Sequence, residues 1–153
     1  MDEARSSETN RKYSLTPQAR SLAIAGGTLF LAGLLQGAAV DLFANPRMAL
    51  SAHLDAVQSG MAVMIAAAFW SATRWGERTE ATARWTLAAG MVGLWLGITL
   101  AAMTGASEAL PMAGAGFSAK PIAEAIVTAL IFASSAALTI GWTLFLIGLV
   151  RAR

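Results

Sequence analysis

The sequence predicts an all-α fold: a polytopic membrane protein, one bundle of four transmembrane helices with both termini cytoplasmic. Three observations carry that prediction. Of 153 residues, 56% are hydrophobic and 13% charged, the composition of a chain whose helices face lipid. The apolar residues fall in four long blocks rather than in amphipathic stripes. The eleven Lys and Arg residues gather on alternate sides of those blocks.

Residues 1–17 read as a polar tail with little to bury, followed by one transmembrane domain over 18–153. The first block, Ser21 to Val40, exceeds the core of a typical signal peptide and reads as an uncleaved helix. The second and third run from Ala49 to Trp70 and from Trp85 to Thr104, each close to the ~20 residues that carry an α-helix across ~30 Å of hydrocarbon. The fourth, Ile122 to Val150, is longer and predicts tilt or a projecting turn.

Arg5, Arg11, Lys12 and Arg20 precede the first block, Arg74, Arg78 and Arg84 lie between the second and third, and Arg151 and Arg153 end the chain. Only Arg47 and Lys120 remain for the other side, so the first and third loops are expected outside. Trp70, Trp75 and Trp85 surround the second loop, where indoles commonly mark the headgroup level. The net charge of +2 therefore reports topology, and no nucleic-acid partner is expected. The absence of cysteine excludes disulfides, iron–sulfur clusters and thiolate ligands.

The single histidine, His53, lies near the start of the second helix, with Asp55 two residues on. Ionisable groups in membrane spans are costly, which makes the pair a functional-site hypothesis; a plain hydrogen bond from His53 to a nearby carbonyl is the competing reading. At about 100° per residue, His53 shares a face with Ala56, Val57 and Gly60, whereas Asp55, Gln58 and Ser59 project to the other side. One site could use both faces only if another subunit supplied the missing side, which points to a homo-oligomer with interfacial sites. Alternatively, Asp55 and Gln58 pair with Thr99, Glu124 or Gln36 and hold the bundle together.

The third loop, from Thr104 to Pro121, is rich in Gly and Ala but lacks a nucleotide-loop signature. Pro121 with Glu124 marks a helix start, so Glu124 is either a partner of the helix dipole or a site residue. Gly33 with Gly37, Gly93 with Gly97, and Ala133 with Ala136 and Ala137 have spacings that suit tight helix packing. Trp95, in the middle of helix three, reads either as core or as an aromatic wall for a planar ligand.

The run Asn-Pro-Arg-Met-Ala-Leu-Ser-Ala-His-Leu-Asp-Ala-Val-Gln-Ser-Gly, Asn45 to Gly60, resembles a segment of the hydroxylaminobenzene mutases. Ala109 to Gly116 and Glu124 to Thr128 resemble the third loop and fourth helix of the same family, and the likeness covers roughly Gln36 to the C-terminus. More distantly, the chain resembles the styrene oxide isomerases, trimeric four-helix enzymes with a His followed seven residues later by Gly. In those enzymes the His ligates haem b, whose ferric iron is a Lewis acid. Ser59 stands where that pattern has Asn, and Ile98 where it has a catalytic Tyr, which argues against styrene oxide as substrate.

The resemblance implies an intramolecular isomerase in a bacterial inner membrane, converting an arylhydroxylamine to an aminophenol. It makes His53 the axial ligand of haem b, with Arg47 and Lys120 toward the propionates. Asp55, Ser59 and Glu124 become the candidate catalytic groups; Trp95, Phe117 and Gln58 become the walls around a small aromatic substrate. A trimer is the expected assembly. Independently of family, one His and no Cys leave a haem's second axial position open unless a Met fills it, which favours substrate binding over electron transfer. The competing readings are an aryl epoxide isomerase and a small transporter with Asp55, Glu124 and His53 as a proton relay.

Overall fold

The computed structural model describes residues 15–151. Most of the predicted tail, with Tyr13 and the cations Arg5, Arg11 and Lys12, lies outside the described residues, as does Arg153. Helix α1 spans Pro17–Gly37, α2 Pro46–Phe69, α3 Glu77–Thr104 and α4 Pro121–Val150. All four are long and apolar enough to cross a membrane. Among the described residues there is no strand.

Local chemistry sets the ends. Thr16 caps α1 by accepting the Ala19 N–H at 3.2 Å, and Pro17 follows in the first turn. Helix α1 therefore starts a turn earlier than its apolar block and stops at Gly37, the block's last residues turning into a short 3₁₀ segment, Val40–Leu42. Asn45 caps α2, accepting the Met48 N–H at 3.1 Å, and Pro46 opens the helix. Helix α3 begins two turns before its apolar block, at Glu77, because Glu77 and Glu80 in its first turn suit the positive end of the helix dipole. Gly105, at φ 79°, ends α3 in the left-handed conformation that glycine adopts without strain.

The helices pack as two hairpins. Helix α1 lies close along α2, and α3 along α4; a thinner α2–α3 seam joins the pairs, and α4 has little contact with α1 or α2 along its length. Close approach within the hairpins needs glycine: a Cβ on Gly60 would fall 2.6 Å from the Phe30 nitrogen and 2.7 Å from the Gly26 oxygen, and one on Gly141 2.7 Å from the Leu87 nitrogen. The expected Gly93 and Gly97 contacts form as well, against Ser134 and Ile131. The Ala133 and Ala136 contact does not, since both side chains are exposed.

Two buried clusters fill the interior. One, around Leu22, Leu29, Val63, Leu87 and Phe145, lies toward the end with the chain termini; the other, around Met48, Ala52, Ile98, Val127 and Ile131, lies toward the end with the first and third loops. At the terminal end, Trp70 is 2% exposed, stacks on Phe145 at 5.8 Å and donates from its indole to Glu80 at 2.9 Å. It is thus a core residue rather than a surface anchor, while Trp85 is exposed as expected. Trp75 donates to the Leu144 carbonyl at 3.1 Å and carries the Arg151 guanidinium on its ring.

Gly60→Val is expected to separate α1 from α2 and to lower stability by about 1–3 kcal/mol or more, read as a lower melting temperature of the detergent-solubilised protein. Asn45→Ala, which removes a cap and a buried loop tie, is expected to cost about 1–3 kcal/mol in the same assay.

Candidate functional site

His53 lies in the seam between α1 and α2. Its Nδ1 is 2.7 Å from the Gly33 carbonyl oxygen, so Nδ1 carries the proton and donates. The ring fits there because Gly37 has no side chain: a Cβ at Gly37 would stand 2.6 Å from Nδ1 and 2.7 Å from Cε1. The hydrogen bond fixes the tautomer that leaves the Nε2 lone pair free, the arrangement by which a backbone carbonyl orients a metal-ligating imidazole. Nε2 has no hydrogen-bond partner among the described residues and is not a buried atom. Leu34, next to Gly33, and Leu50 and Leu54, within one turn of His53, are exposed. Both readings of His53 from sequence therefore meet in one ring: it bonds a carbonyl through one nitrogen and keeps the other available.

These residues fit a haem. Haem iron takes its equatorial donors from the macrocycle and asks the protein for an axial ligand and apolar walls, which His53 and the exposed leucines offer. Among the described residues no three His, Asp or Glu side chains cluster as a site for a bare ion.

Asp55 faces nearly the opposite way from His53. Its Oδ2 is buried and has no partner, and Ser59, one turn on, is buried on the same side of α2. Gln58 is exposed and does not join them. The pairing that the sequence left open falls instead to Gln36, whose amide donates to Thr99 Oγ1 at 3.1 Å while its carbonyl accepts the Trp95 indole at 2.6 Å. On α4, Thr128 Oγ1 is also buried without a partner. Thr128 adjoins Val127 and Ile131, which cluster with Met48 and Ala52 of α2, the residues one and two turns before Asp55. One orphaned polar atom thus sits on α2 and another on α4. Each costs about 1–3 kcal/mol while unpaired, so each is open to a polar partner. Thr128 gave no signal in the sequence, since a lone Thr in an apolar helix is ordinary.

Glu124 is committed elsewhere. It is 5% exposed, and its carboxylate accepts the N–H groups of Ser107 at 3.0 Å, Glu108 at 3.1 Å and Ala119 at 3.1 Å. One buried carboxylate therefore clasps both ends of the third loop, beside the N-terminus of α4, where negative charge is favoured. It is neither a free proton acceptor nor only a dipole partner. Asn45 clasps the loop's middle: fully buried, it donates from Nδ2 to the Ala113 carbonyl at 3.0 Å and from its backbone to Ala102 at 3.0 Å. Arg47 donates to the Ala115 carbonyl. Arg47 and Lys120 are both exposed at this end of the bundle.

The expected aromatic walls do not converge. Phe117 lies beside Gly105, its Cβ 3.9 Å from where a Gly105 Cβ would be, whereas Trp95 is ten residues further down α3, about 15 Å along the axis. Trp95 packs against both buried clusters. A cleft of about 450 Å³ opens instead between the first loop and α3, lined by Ala39, Leu42, Phe43, Ala44, Thr99 and Met103. Its size suits a single aromatic ring, and its polar group, Thr99, is tied through Gln36 to Trp95. His53 and Asp55 lie on opposed faces of α2, and this cleft lies between the first loop and α3.

Two known proteins are similar to this chain along most of its length. Hydroxylaminobenzene mutase HabA of Ectopseudomonas oleovorans is 34% identical over 127 residues, 82% of this chain and 94% of that protein. Hydroxylaminobenzene mutase HabB of the same organism is 31% identical over 137 residues, 89% of this chain and 84% of that protein. No solved structure matches the chain. These names set aside the proton-relay transporter. The family model for styrene oxide isomerase matches residues 18–150, and the chain, an isomerase or mutase, belongs to that family.

Proposed function

We propose that the protein moves the hydroxyl of an arylhydroxylamine from nitrogen to a ring carbon, giving an aminophenol, with ferric haem b held by His53. The reading includes a homo-oligomer, a trimer, in a bacterial inner membrane, with the site completed between copies. The observation that carries it is the His53 imidazole, locked by the Gly33 carbonyl with Nε2 left free. The names of both mutase relatives support the substrate class.

The conversion breaks an N–O bond, forms a C–O bond and moves a ring proton to nitrogen. No electrons are gained or lost overall, so no redox partner is needed. Haem, when bound, would supply a Lewis-acid iron for a substrate heteroatom, and Arg47 and Lys120 would meet its propionates. The chain's own groups do the rest. Asp55 Oδ2, buried and unpartnered, takes the ring proton as aromaticity returns, and the Thr128 hydroxyl orients the polar end of the substrate. Ser59 supports Asp55 from one turn away. The apolar cleft beside Thr99 holds the ring away from water. Glu124 keeps the third loop in place through its bonds to Ser107, Glu108 and Ala119.

The family description favours one alternative, an aryl epoxide isomerase. Against it, Ile98, where the resemblance places a catalytic tyrosine, is an apolar core side chain. Parallel assays with phenylhydroxylamine and styrene oxide separate the two, and turnover is expected with the first only.

Purified wild type from haem-replete cells is expected to show a Soret band that His53→Ala loses or shifts. A wild type without the band would end the haem reading. Asp55→Asn is expected to lower kcat by about 10²-fold or more with the melting temperature nearly kept. Glu124→Gln is expected to do the reverse, losing about 1–3 kcal/mol of stability with little change in kcat per folded protein.

A further inference from the structure

Arg84 is the one cation among the described residues with a buried nitrogen that lacks a hydrogen-bond partner. It lies about two turns into α3 and is half-buried, with Nε buried and without a partner. Its one hydrogen bond is from Nη1 to Ser21 Oγ of α1, at 3.1 Å, and its guanidinium lies 5.0 Å from the centroid of the Trp85 ring. Glu80, one turn before it on α3, does not pair with it and accepts from the Trp70 indole at Oε1 instead. A half-buried guanidinium without a carboxylate retains most of the cost of its desolvation, and an anion that reached it would be held firmly.

The surroundings are graded along the membrane normal. Toward the chain termini, a polar cleft of about 160 Å³ is lined by Gln18, Glu77, Glu80, Ala81 and Arg84. One turn deeper, a smaller cleft is lined by Ser21, Leu22, Ala25, Arg84, Trp85 and Ala88. Both lie between α1 and α3, which touch only lightly, and Arg84 belongs to both. The order from the helix ends inward is two acids, then a cation, then an apolar channel beside an exposed indole.

We propose that this crevice binds an aminophospholipid: its phosphate rests on Arg84, its primary ammonium lies between Glu77 and Glu80, and an acyl chain runs along Leu22, Ala25 and Ala88. The charge order selects this headgroup. A purely anionic headgroup would bring its phosphate to Arg84 but leave the two acids unanswered and repelling. A choline headgroup has the right signs, but its quaternary nitrogen has no N–H to donate to a carboxylate, and it is bulkier than the polar cleft favours. The site lies at the opposite end of the bundle from His53 and does not depend on the proposed reaction.

Native mass spectrometry tests this on the full chain, released from vesicles of equal parts phosphatidylethanolamine, phosphatidylglycerol and phosphatidylcholine. Wild type is expected to retain phosphatidylethanolamine in preference to the other two. Arg84→Ala is expected to cut that retention by about fivefold, the worth of one interfacial cation, while Arg84→Lys keeps most of it. The double variant Glu77→Gln/Glu80→Gln is expected to go on binding lipid but to lose the preference for phosphatidylethanolamine over phosphatidylcholine. Equal retention of all three lipids by wild type, a preference for phosphatidylglycerol, or unchanged selectivity in the double variant would each overturn the proposal. If Arg84→Ala fails to fold by circular dichroism, the double variant decides alone.

Discussion

Backbone N–H and C=O groups that are buried in protein must find partners there, and the loop end of this bundle buries several. Two side chains answer that constraint. Glu124 collects N–H groups from both ends of the third loop, and Asn45 caps α2 while binding the last turn of α3 and the middle of that loop. Three segments distant in sequence are thereby fixed against one another. The seats of His53, Arg47 and Phe117 all depend on this framework, because it sets where α2 starts and how the third loop lies over it.

The polar inventory divides accordingly. Groups at the loop end with complete partners, Glu124 and Asn45, hold the architecture. Groups with an unmet valence, His53 Nε2, Asp55 Oδ2 and Thr128 Oγ1, are available for chemistry. His53 and Asp55 face opposite ways on α2, so one compact substrate does not reach both within a single protomer. The Gln36 amide occupies an intermediate position: its bonds to Thr99 and Trp95 stiffen α1 against α3 directly behind the apolar cleft.

Much of this was legible in the sequence. Four spans follow from composition, and the opposed faces of His53 and Asp55 follow from the turn of the helix alone. Helix starts were not, because hydropathy ignores caps: Thr16 and the acidic first turn of α3 extend helices into polar sequence. Glu124 was placed at a helix start, but no local pattern reveals that a loop closes over it. Gln36, rather than Asp55 or Gln58, took Thr99 because helix rotation about the α1–α3 contact decides the partner, and spacing along one helix carries no information about its neighbour. Trp70 illustrates the same limit: a tryptophan at a span's end looks like a surface anchor until a phenylalanine from another helix stacks on it.

The uneven packing of the helices has a mechanical meaning. Each hairpin is closed along faces where glycine lets backbones nearly touch, whereas the α2–α3 seam between hairpins is thinner. Connection length does not set the difference, because the link from α2 to α3 is shorter than the link from α3 to α4; the closeness of the faces does. The two hairpins are therefore the stiff units of this chain, and the α2–α3 seam is the line along which one can shift against the other.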